Sequence, residues 1–262
     1  MEKERREILI CRNLEEVGQR AANLYVQLAN EVISSTERFA VALSGGSTPK
    51  ALYALLASDQ YRQQVPWSKV HVFWGDERCV PPDHPDSNYR MTRQSLLDKV
   101  PIPEENIHRM PVERGDHCRA AAEYEETLRS FFQIAAGEQP HFDLILLGMG
   151  ADGHTSSLFP WTAALAETER LITSNYVEKL GTYRLTLTAP VINRAANVVF
   201  LVSGETKASV LREVLEGAYE PQRLPSQLIR PVKGRLLFIV DRAAAGKLAR
   251  AGGGRDGKPR PP

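Results

Sequence analysis

An aspartate and a histidine follow a glycine-rich stretch at the end of an apolar run, within residues 142–154. Residues 144–147 contain no polar side chain, which is typical of a strand buried on both faces of a sheet. Asp152 and His154 come just beyond the carboxyl end of this predicted strand, where open α/β sheets bind ligands. A neutral imidazole with a pKa near ~6.5 can take a proton from water and return it to a leaving group, while a carboxylate holds the ring. The pair predicts general acid–base chemistry, although a lone histidine is more often a structural hydrogen-bonding group.

The spacing Gly148-x-Gly150-x-x-Gly153 also matches the dinucleotide-binding fingerprint. That fingerprint needs a helix after the third glycine, with its N-terminus facing the pyrophosphate. Pro160 and Trp161 leave little room for such a helix, and the carboxylate of Asp152 would point towards the phosphates. The surrounding residues therefore disfavour nucleotide binding at this loop.

A second polar segment follows a predicted strand over residues 39–43 and consists of Ser44, Gly45, Gly46, Ser47 and Thr48. Glycines and hydroxyls at a helix N-terminus supply N–H and O–H donors together with the positive end of the helix dipole, and these suit a phosphate. The segment lacks the Gly-Lys-Ser/Thr of a nucleotide P-loop, so a sugar phosphate is favoured over ATP. A tight turn with a helix cap is an equally common explanation for such a loop in isolation.

Charged side chains follow two further predicted strands. Asp76, Glu77 and Arg78 come after residues 70–74, and Lys207 comes after residues 198–202. The guanidinium of Arg78 can bind a phosphate or a carboxyl-like oxygen through two hydrogen bonds, and at least one of the two acids is expected in an internal salt bridge. Lys207 lies in the first turn of a predicted helix and can reach a bound anion, although alone it is an ordinary surface lysine.

The elements that must position these groups alternate between strand and helix. Apolar patterning predicts strands at 8–11, 39–43, 70–74, 142–147, 183–188, 198–202 and 236–240. It predicts helices at 14–33 (with Asn13 as N-cap), 50–57, from 87–89 onward, 116–136, 205–215 and 242–251. Alternation of this kind predicts an α/β fold with a mostly parallel sheet covered on both faces, so that the four polar segments meet at one sheet edge. Residues 161–180 show no clear pattern.

The composition is that of an ordinary globular protein of 262 residues, 42% hydrophobic and 25% charged. A net charge of +1 gives no reason to expect a nucleic-acid partner, and three widely spaced cysteines without a CxxC pattern predict neither disulfides nor a metal site. No apolar run is long enough to span a membrane, and residues 1–7 lack the apolar core of a signal peptide, so a cytoplasmic location without a membrane partner is expected. We expect one domain over residues 1–251 and a disordered tail over 252–262, which is rich in glycine, proline and basic residues.

Taken together, four segments resemble the 6-phosphogluconolactonase family over about residues 8–250. They are residues 43–49 (LSGGSTP), 74–78 (WGDER) with 87–89 (SNY), 148–160 (GMGADGHTSSLFP), and Ser203-Gly204 with Lys207. Each motif alone is weak, but the ordered set is specific. The resemblance implies a three-layer α/β/α sandwich similar to glucosamine-6-phosphate deaminase and ribose-5-phosphate isomerase.

The resemblance also implies hydrolysis of a sugar-phosphate lactone without a cofactor or a protein partner. His154 would be the general base, supported by Asp152, and Arg78 would serve either the phosphate or the oxyanion. The groups implied to bind substrate are Ser44, Gly45, Gly46, Ser47, Thr48, Arg78, Asn88 and Lys207.

Two other functions compete with this one. The deaminase family is similar in its phosphate loop and Asp-Gly-His segment, but it has a catalytic Glu in the run after its His, where residues 155–160 contain no acid. It also has a Tyr where this chain has Arg78. A non-catalytic sugar-phosphate sensor would keep the phosphate loop without needing Asp152 and His154 beside it.

Overall fold

The structure, a computed structural model, describes residues 6–249. Its strands are β1 (Arg6–Cys11), β2 (Phe39–Leu43), β3 (Val70–Trp74), β4 (Asp76–Arg78), β5 (Leu144–Leu147), β6 (Ile172–Val177), β7 (Thr182–Leu187), β8 (Asn197–Val202) and β9 (Arg235–Asp241). Six of them form one sheet in the order β1-β9-β8-β5-β2-β3, and every neighbouring pair in it is parallel. The predicted α/β class is confirmed.

Helices flank this sheet. They are α1 (Leu14–Thr36), α2 (Ser47–Leu56), α3 (Asp59–Arg62), α4 (Asn88–Ser95), α5 (His117–Phe132), α6 (Ala189–Asn193), α7 (Ala208–Glu216) and α8 (Arg242–Ala245). Crossovers between parallel strands are right-handed, and the strand order reverses direction after β3. This rule places α1 and α2 on one face of the sheet and α5 and α7 on the other. The carboxyl ends of β2, β3, β5 and β8 consequently share one edge.

The core lies where the parallel strands are covered on both faces. All five residues of β2 and all four of β5 are buried, as their uninterrupted apolar sequences predict. Aromatic side chains fill the space between this sheet and α5, where Phe73 packs edge-to-face on Phe131 and on Phe142. Burial of apolar surface on this scale makes the sheet a rigid support for the loops at its edge.

A second, antiparallel sheet was not predicted. Residues 76–78, expected only as a polar strand end, form β4, which pairs with β7, and β7 pairs with β6 in a hairpin. Gly75 links β3 to β4: its N–H donates to Leu43 O and its carbonyl accepts from Leu187 N, at 2.8 Å each. The small sheet is therefore fixed directly against the edge of the large one.

Several predicted element ends were wrong. The helix predicted to end at residue 136 ends at Phe132, because Gln133 adopts a left-handed φ of 53° and reverses the chain. The helix predicted from residue 50 starts at Ser47 and includes Pro49 in its first turn. The last helix has only four residues before Gly246. The N-cap predicted at Asn13 is correct, and the helix predicted to open at residues 87–89 is α4, with Ser87 as its N-cap.

Within residues 6–249, no helix is both long and apolar enough to cross a membrane. The predicted tail over residues 252–262 lies outside the described residues.

Candidate active site

A cleft with about 250 Å³ of space opens at the carboxyl edge of the large sheet. The predicted groups that line it are Ser44, Gly45, Gly46, Ser47, Thr48, Arg78, His154 and Lys207. Four segments separated by up to about 160 residues are therefore brought together, as the shared edge predicted. Asp152 and Asn88 do not line the cleft; both lie behind residues that do.

The loop 44–48, which is predicted to bind a phosphate, is fixed by a buried tyrosine. The hydroxyl of Tyr53 donates to Ser44 O at 2.8 Å and accepts from Ser44 N at 3.0 Å. The cap residue of α2 is Gly46, with a φ of 106°, so no side chain covers the first N–H groups of the helix. These donors and the helix dipole are directed towards the cleft, as anion binding requires.

Two glycines of the site are closely approached by side chains of the protein itself. A Cβ on Gly150 would lie 2.0 Å from His154 Nδ1, and a Cβ on Gly45 would lie 1.8 Å from Asn88 Oδ1. At both positions the missing side chain leaves room for the imidazole and the amide that support the site. Residues 154–162, all described, contain no helix, in agreement with the argument against dinucleotide binding.

His154 is fixed on two sides. Its Nδ1 lies 2.5 Å from Asp152 Oδ1, and its ring stacks on Phe159 with centroids 4.1 Å apart. The other oxygen of Asp152 accepts from Lys179, whose ammonium also lies 4.8 Å from the centroid of Phe159. With Asp152 ionised, the proton between the two groups is on Nδ1, which leaves Nε2 as the basic nitrogen.

The pKa of His154 is lowered to about 4, and burial of the ring is the largest cause. The carboxylate of Asp76 opposes this shift, whereas the positive charges of Lys207, Arg184 and Arg78 contribute to it. Because the side chain is still 29% exposed, solvent and ligands can reach the ring. At neutral pH the imidazole is uncharged and able to accept a proton.

The three cations come from both sheets. Arg78 and Arg184 are directly opposite each other in the β4–β7 pair, and Lys207 follows β8. Burial lowers the pKa of both Arg184 and Lys207, and the charge of Arg78 adds to the shift at Arg184. Two adjacent guanidiniums repel each other unless an anion lies between them, so the pair favours an anionic ligand.

Four buried polar atoms of this region have no hydrogen-bond partner among the described residues. They are Ser44 Oγ, Ser156 Oγ, Arg78 Nε and Arg184 Nε. Every one of them can donate a hydrogen bond, and buried donors normally have partners. An oxygen-rich ligand would satisfy them.

The two acids after β3 have separate environments. Glu77 is buried and accepts from the backbone N–H groups of Asn88 and Tyr89 at 2.7 and 2.8 Å, so it holds the first turn of α4, and it makes no salt bridge with any residue that the structure describes. Burial raises its pKa, against the effect of those hydrogen bonds. Asp76 lines the cleft and accepts from Ser157 Oγ at 2.6 Å. The expected internal salt bridge is therefore replaced by backbone and hydroxyl donors.

Asn88 is buried, and its Nδ2 donates to Asp76 O at 2.9 Å while its Oδ1 lies against Gly45. These contacts support a role in positioning the loop, and direct contact with substrate stays a prediction. The turn that leads to Lys207 is fixed by Asp241, which accepts from Ser203 Oγ at 2.5 Å and from Gly204 N at 3.1 Å.

Arg184, Lys179 and Ser156 were missed by the sequence analysis. Arg184 and Lys179 belong to the β6–β7 hairpin, most of it within or beside the stretch that showed no pattern. A signal for Arg184 did exist, since it is a charged residue in the alternating strand 183–188.

Comparisons with known proteins agree with this geometry. Residues 12–238 match a family model described as glucosamine-6-phosphate isomerases/6-phosphogluconolactonase. A protein of Synechocystis sp. named 6-phosphogluconolactonase is 53% identical over 208 residues, which cover 79% of this chain and 84% of that protein. One of Nostoc sp. with the same name is 46% identical over 230 residues, covering 88% and 93%.

Solved structures are similar over the same extent. The 6-phosphogluconolactonase of Trypanosoma cruzi superposes with a TM-score of 0.83 at 30% identity, covering 94% of this chain and 98% of that one. A monomeric glucosamine-6-phosphate deaminase has a TM-score of 0.76 at 20% identity, covering 92% and 99%, and shows the shared fold alone.

Proposed function

The chain belongs to the family of glucosamine-6-phosphate isomerases and 6-phosphogluconolactonases, and we propose that it is a lactonase. The proposed reaction converts 6-phospho-D-glucono-1,5-lactone to 6-phospho-D-gluconate, the second step of the oxidative pentose phosphate pathway. The observation that carries this proposal is a neutral, partly exposed histidine in the same cleft as the loop 44–48 and two cations, Arg78 and Lys207. The names of the relatives at 53% and 46% identity support it.

In the proposed mechanism, His154 Nε2 takes a proton from a water molecule as the water oxygen attacks C1 of the lactone. The C1 carbonyl becomes an oxyanion, which needs a donor or a cation nearby. The bond between C1 and the ring oxygen then breaks, and protonated His154 returns its proton to that oxygen. One water is consumed, and the product is an acid with a free hydroxyl on C5.

Asp152 keeps the proton of the resting imidazole on Nδ1 and stabilises the imidazolium as it forms. The loop 44–48 and Lys207 bind the phosphate in this proposal. Arg78, with Arg184 opposite it, serves either the phosphate or the oxyanion.

The deaminase alternative is disfavoured because residues 155–160, the run that follows His154, contain no acidic side chain. Ring opening with loss of an amine needs such an additional acid–base group. The test uses lactone made fresh in situ, with formation of 6-phosphogluconate followed against the spontaneous rate. We expect a clear acceleration and no ammonia from glucosamine 6-phosphate. Ammonia without lactone hydrolysis would reverse the assignment, and binding of 6-phosphogluconate without turnover would indicate a sensor.

A further inference from the structure

Ser156 combines two features that are unfavourable in the ligand-free protein. Its φ is 47°, in the left-handed region that non-glycine residues seldom adopt. Its Oγ is buried and has no hydrogen-bond partner among the described residues. Ser156 nevertheless lines the cleft together with His154 and Arg78.

Neighbouring residues hold this conformation in place. Thr155 Oγ1 donates to Gly148 O at 2.8 Å, and Asn175 Nδ2 donates to Ser157 O at 2.8 Å. Ser157, the next residue, has its Oγ paired with Asp76 at 2.6 Å. Of two consecutive serines, one hydroxyl is thus satisfied within the protein and the other is not. Strain and unpaired donors that are held by well-bonded surroundings are concentrated at ligand sites.

The position of Ser156 indicates which part of a ligand it meets. Its Oγ is so close to Gly75 that a Cβ there would lie only 3.2 Å away, and Gly75 directly precedes the buried Asp76. A carboxylate beside this point disfavours a phosphate, whereas an uncharged hydroxyl can hydrogen-bond to both groups.

Resting on the lactonase assignment, we propose that Ser156 is a specificity-determining residue whose Oγ hydrogen-bonds to a hydroxyl oxygen of the sugar chain and not to the phosphate. A serine hydroxyl both donates and accepts, and rotation about χ1 between staggered positions directs it to a ligand without backbone movement.

The test compares Ser156→Ala with Ser157→Ala, using calorimetric binding of 6-phosphogluconate and of inorganic phosphate and the melting temperature of each ligand-free protein. Ser156→Ala should bind 6-phosphogluconate about three- to tenfold more weakly, as expected for one lost hydrogen bond, and should bind phosphate unchanged. Its Tm should rise by about 2–4 °C, because a buried unpaired hydroxyl is removed. Ser157→Ala is the matched control: its Tm should fall, because the buried Oδ2 of Asp76 loses the hydroxyl that donates to it.

Equal affinity of wild type and Ser156→Ala for 6-phosphogluconate would overturn the contact. Weaker binding of inorganic phosphate would assign Ser156 to the phosphate end instead, and a lower Tm would show that its hydroxyl is already satisfied. If the wild-type protein itself binds no 6-phosphogluconate, the lactonase assignment fails. Failure of that assignment is thereby distinguished from failure of the Ser156 contact alone, in which the wild-type protein still binds the ligand.

Discussion

At the scale of single residues, the site depends on how side chains hold one another. His154 was predictable because a histidine two residues after an acid, at a strand end, is an unusual pattern. Its low pKa was not predictable, because it arises from burial and from cations that are distant in sequence. The same holds for Lys179, whose contact with Asp152 joins residues 27 positions apart.

The pH dependence of the reaction tests the state of His154. Only the neutral ring is a base, and a pKa of about 4 keeps it neutral throughout the range above about pH 5. The value of kcat/KM should therefore stay level from pH 7 to about pH 5 and fall about tenfold per unit well below pH 4. Rates are measured with fresh lactone after subtraction of the spontaneous reaction.

His154→Gln is the control for this profile. It should lower kcat by about 10²–10⁴-fold and remove the acidic limb, while affinity for 6-phosphogluconate is mostly retained. A limb between pH 6 and pH 7 that is also seen with glucono-δ-lactone, which has no phosphate to titrate, would contradict the burial argument. Near-normal kcat in the variant would remove His154 from the mechanism.

Lys179 is expected to act as a positioning residue through Asp152 and Phe159. Lys179→Gln should reduce kcat by about three- to tenfold with little change in KM, because the second oxygen of Asp152 loses its charged donor and orientation of the imidazole weakens. Lys179→Arg should restore most of kcat, since it keeps a donor and a charge. Lys233→Gln, an exposed lysine elsewhere, is the charge-matched control. A rise in KM with kcat unchanged would assign Lys179 to substrate binding instead.

At the scale of elements, the strands of the large sheet could be predicted from sequence because parallel strands buried on both faces require uninterrupted apolar runs. The small sheet could not be predicted in this way. β4 has only three residues, all charged, and β6 alternates too weakly to be recognised before its partner β7 is known. Pairing between distant strands depends on tertiary structure, which local patterns do not contain. Arg184 was missed for this reason, although it is paired with Arg78, which the sequence did indicate as a site residue.

The loop after β5 offers a test of how an element positions a catalytic group. In Gly150→Ala the new methyl would occupy the place of the His154 ring, at 2.0 Å from Nδ1, so the ring must move. We expect kcat to fall by about 10²-fold or more, because a displaced base loses its alignment. Gly148→Ala is the matched control: its Cβ would have only Gly45 O at 4.0 Å, so the His154 ring stays in place and any loss from a methyl at the cleft should be in KM and not in kcat. Similar losses of kcat in both variants would mean that the loop adapts as a whole.

At the scale of the whole molecule, the cleft lies between two sheets that contribute different groups. The large sheet supplies the loop 44–48, His154 and Lys207, while the small sheet supplies Arg78, with Arg184 opposite it on the neighbouring strand. A ligand in this cleft would contact both sheets. The net charge of the chain is only +1, so in the proposed function attraction of the phosphate would depend on these local cations and not on the overall field.

The last prediction concerns which sheet holds the phosphate. If Lys207 is the anchor, Lys207→Ala removes a charge-assisted contact of about 1.5–3 kcal/mol and should weaken binding of 6-phosphogluconate by about 10- to 150-fold. It should leave hydrolysis of glucono-δ-lactone, which has no phosphate, almost unchanged. Arg78→Ala and Arg184→Ala then locate the small sheet's role. Behaviour like that of Lys207→Ala would place both guanidiniums at the phosphate, whereas a fall in kcat on both lactones would place the guanidinium that was removed at the oxyanion. Equal losses on the two lactones for Lys207→Ala would reverse the orientation, because the phosphate would then lie at the small sheet and C1 beneath Lys207.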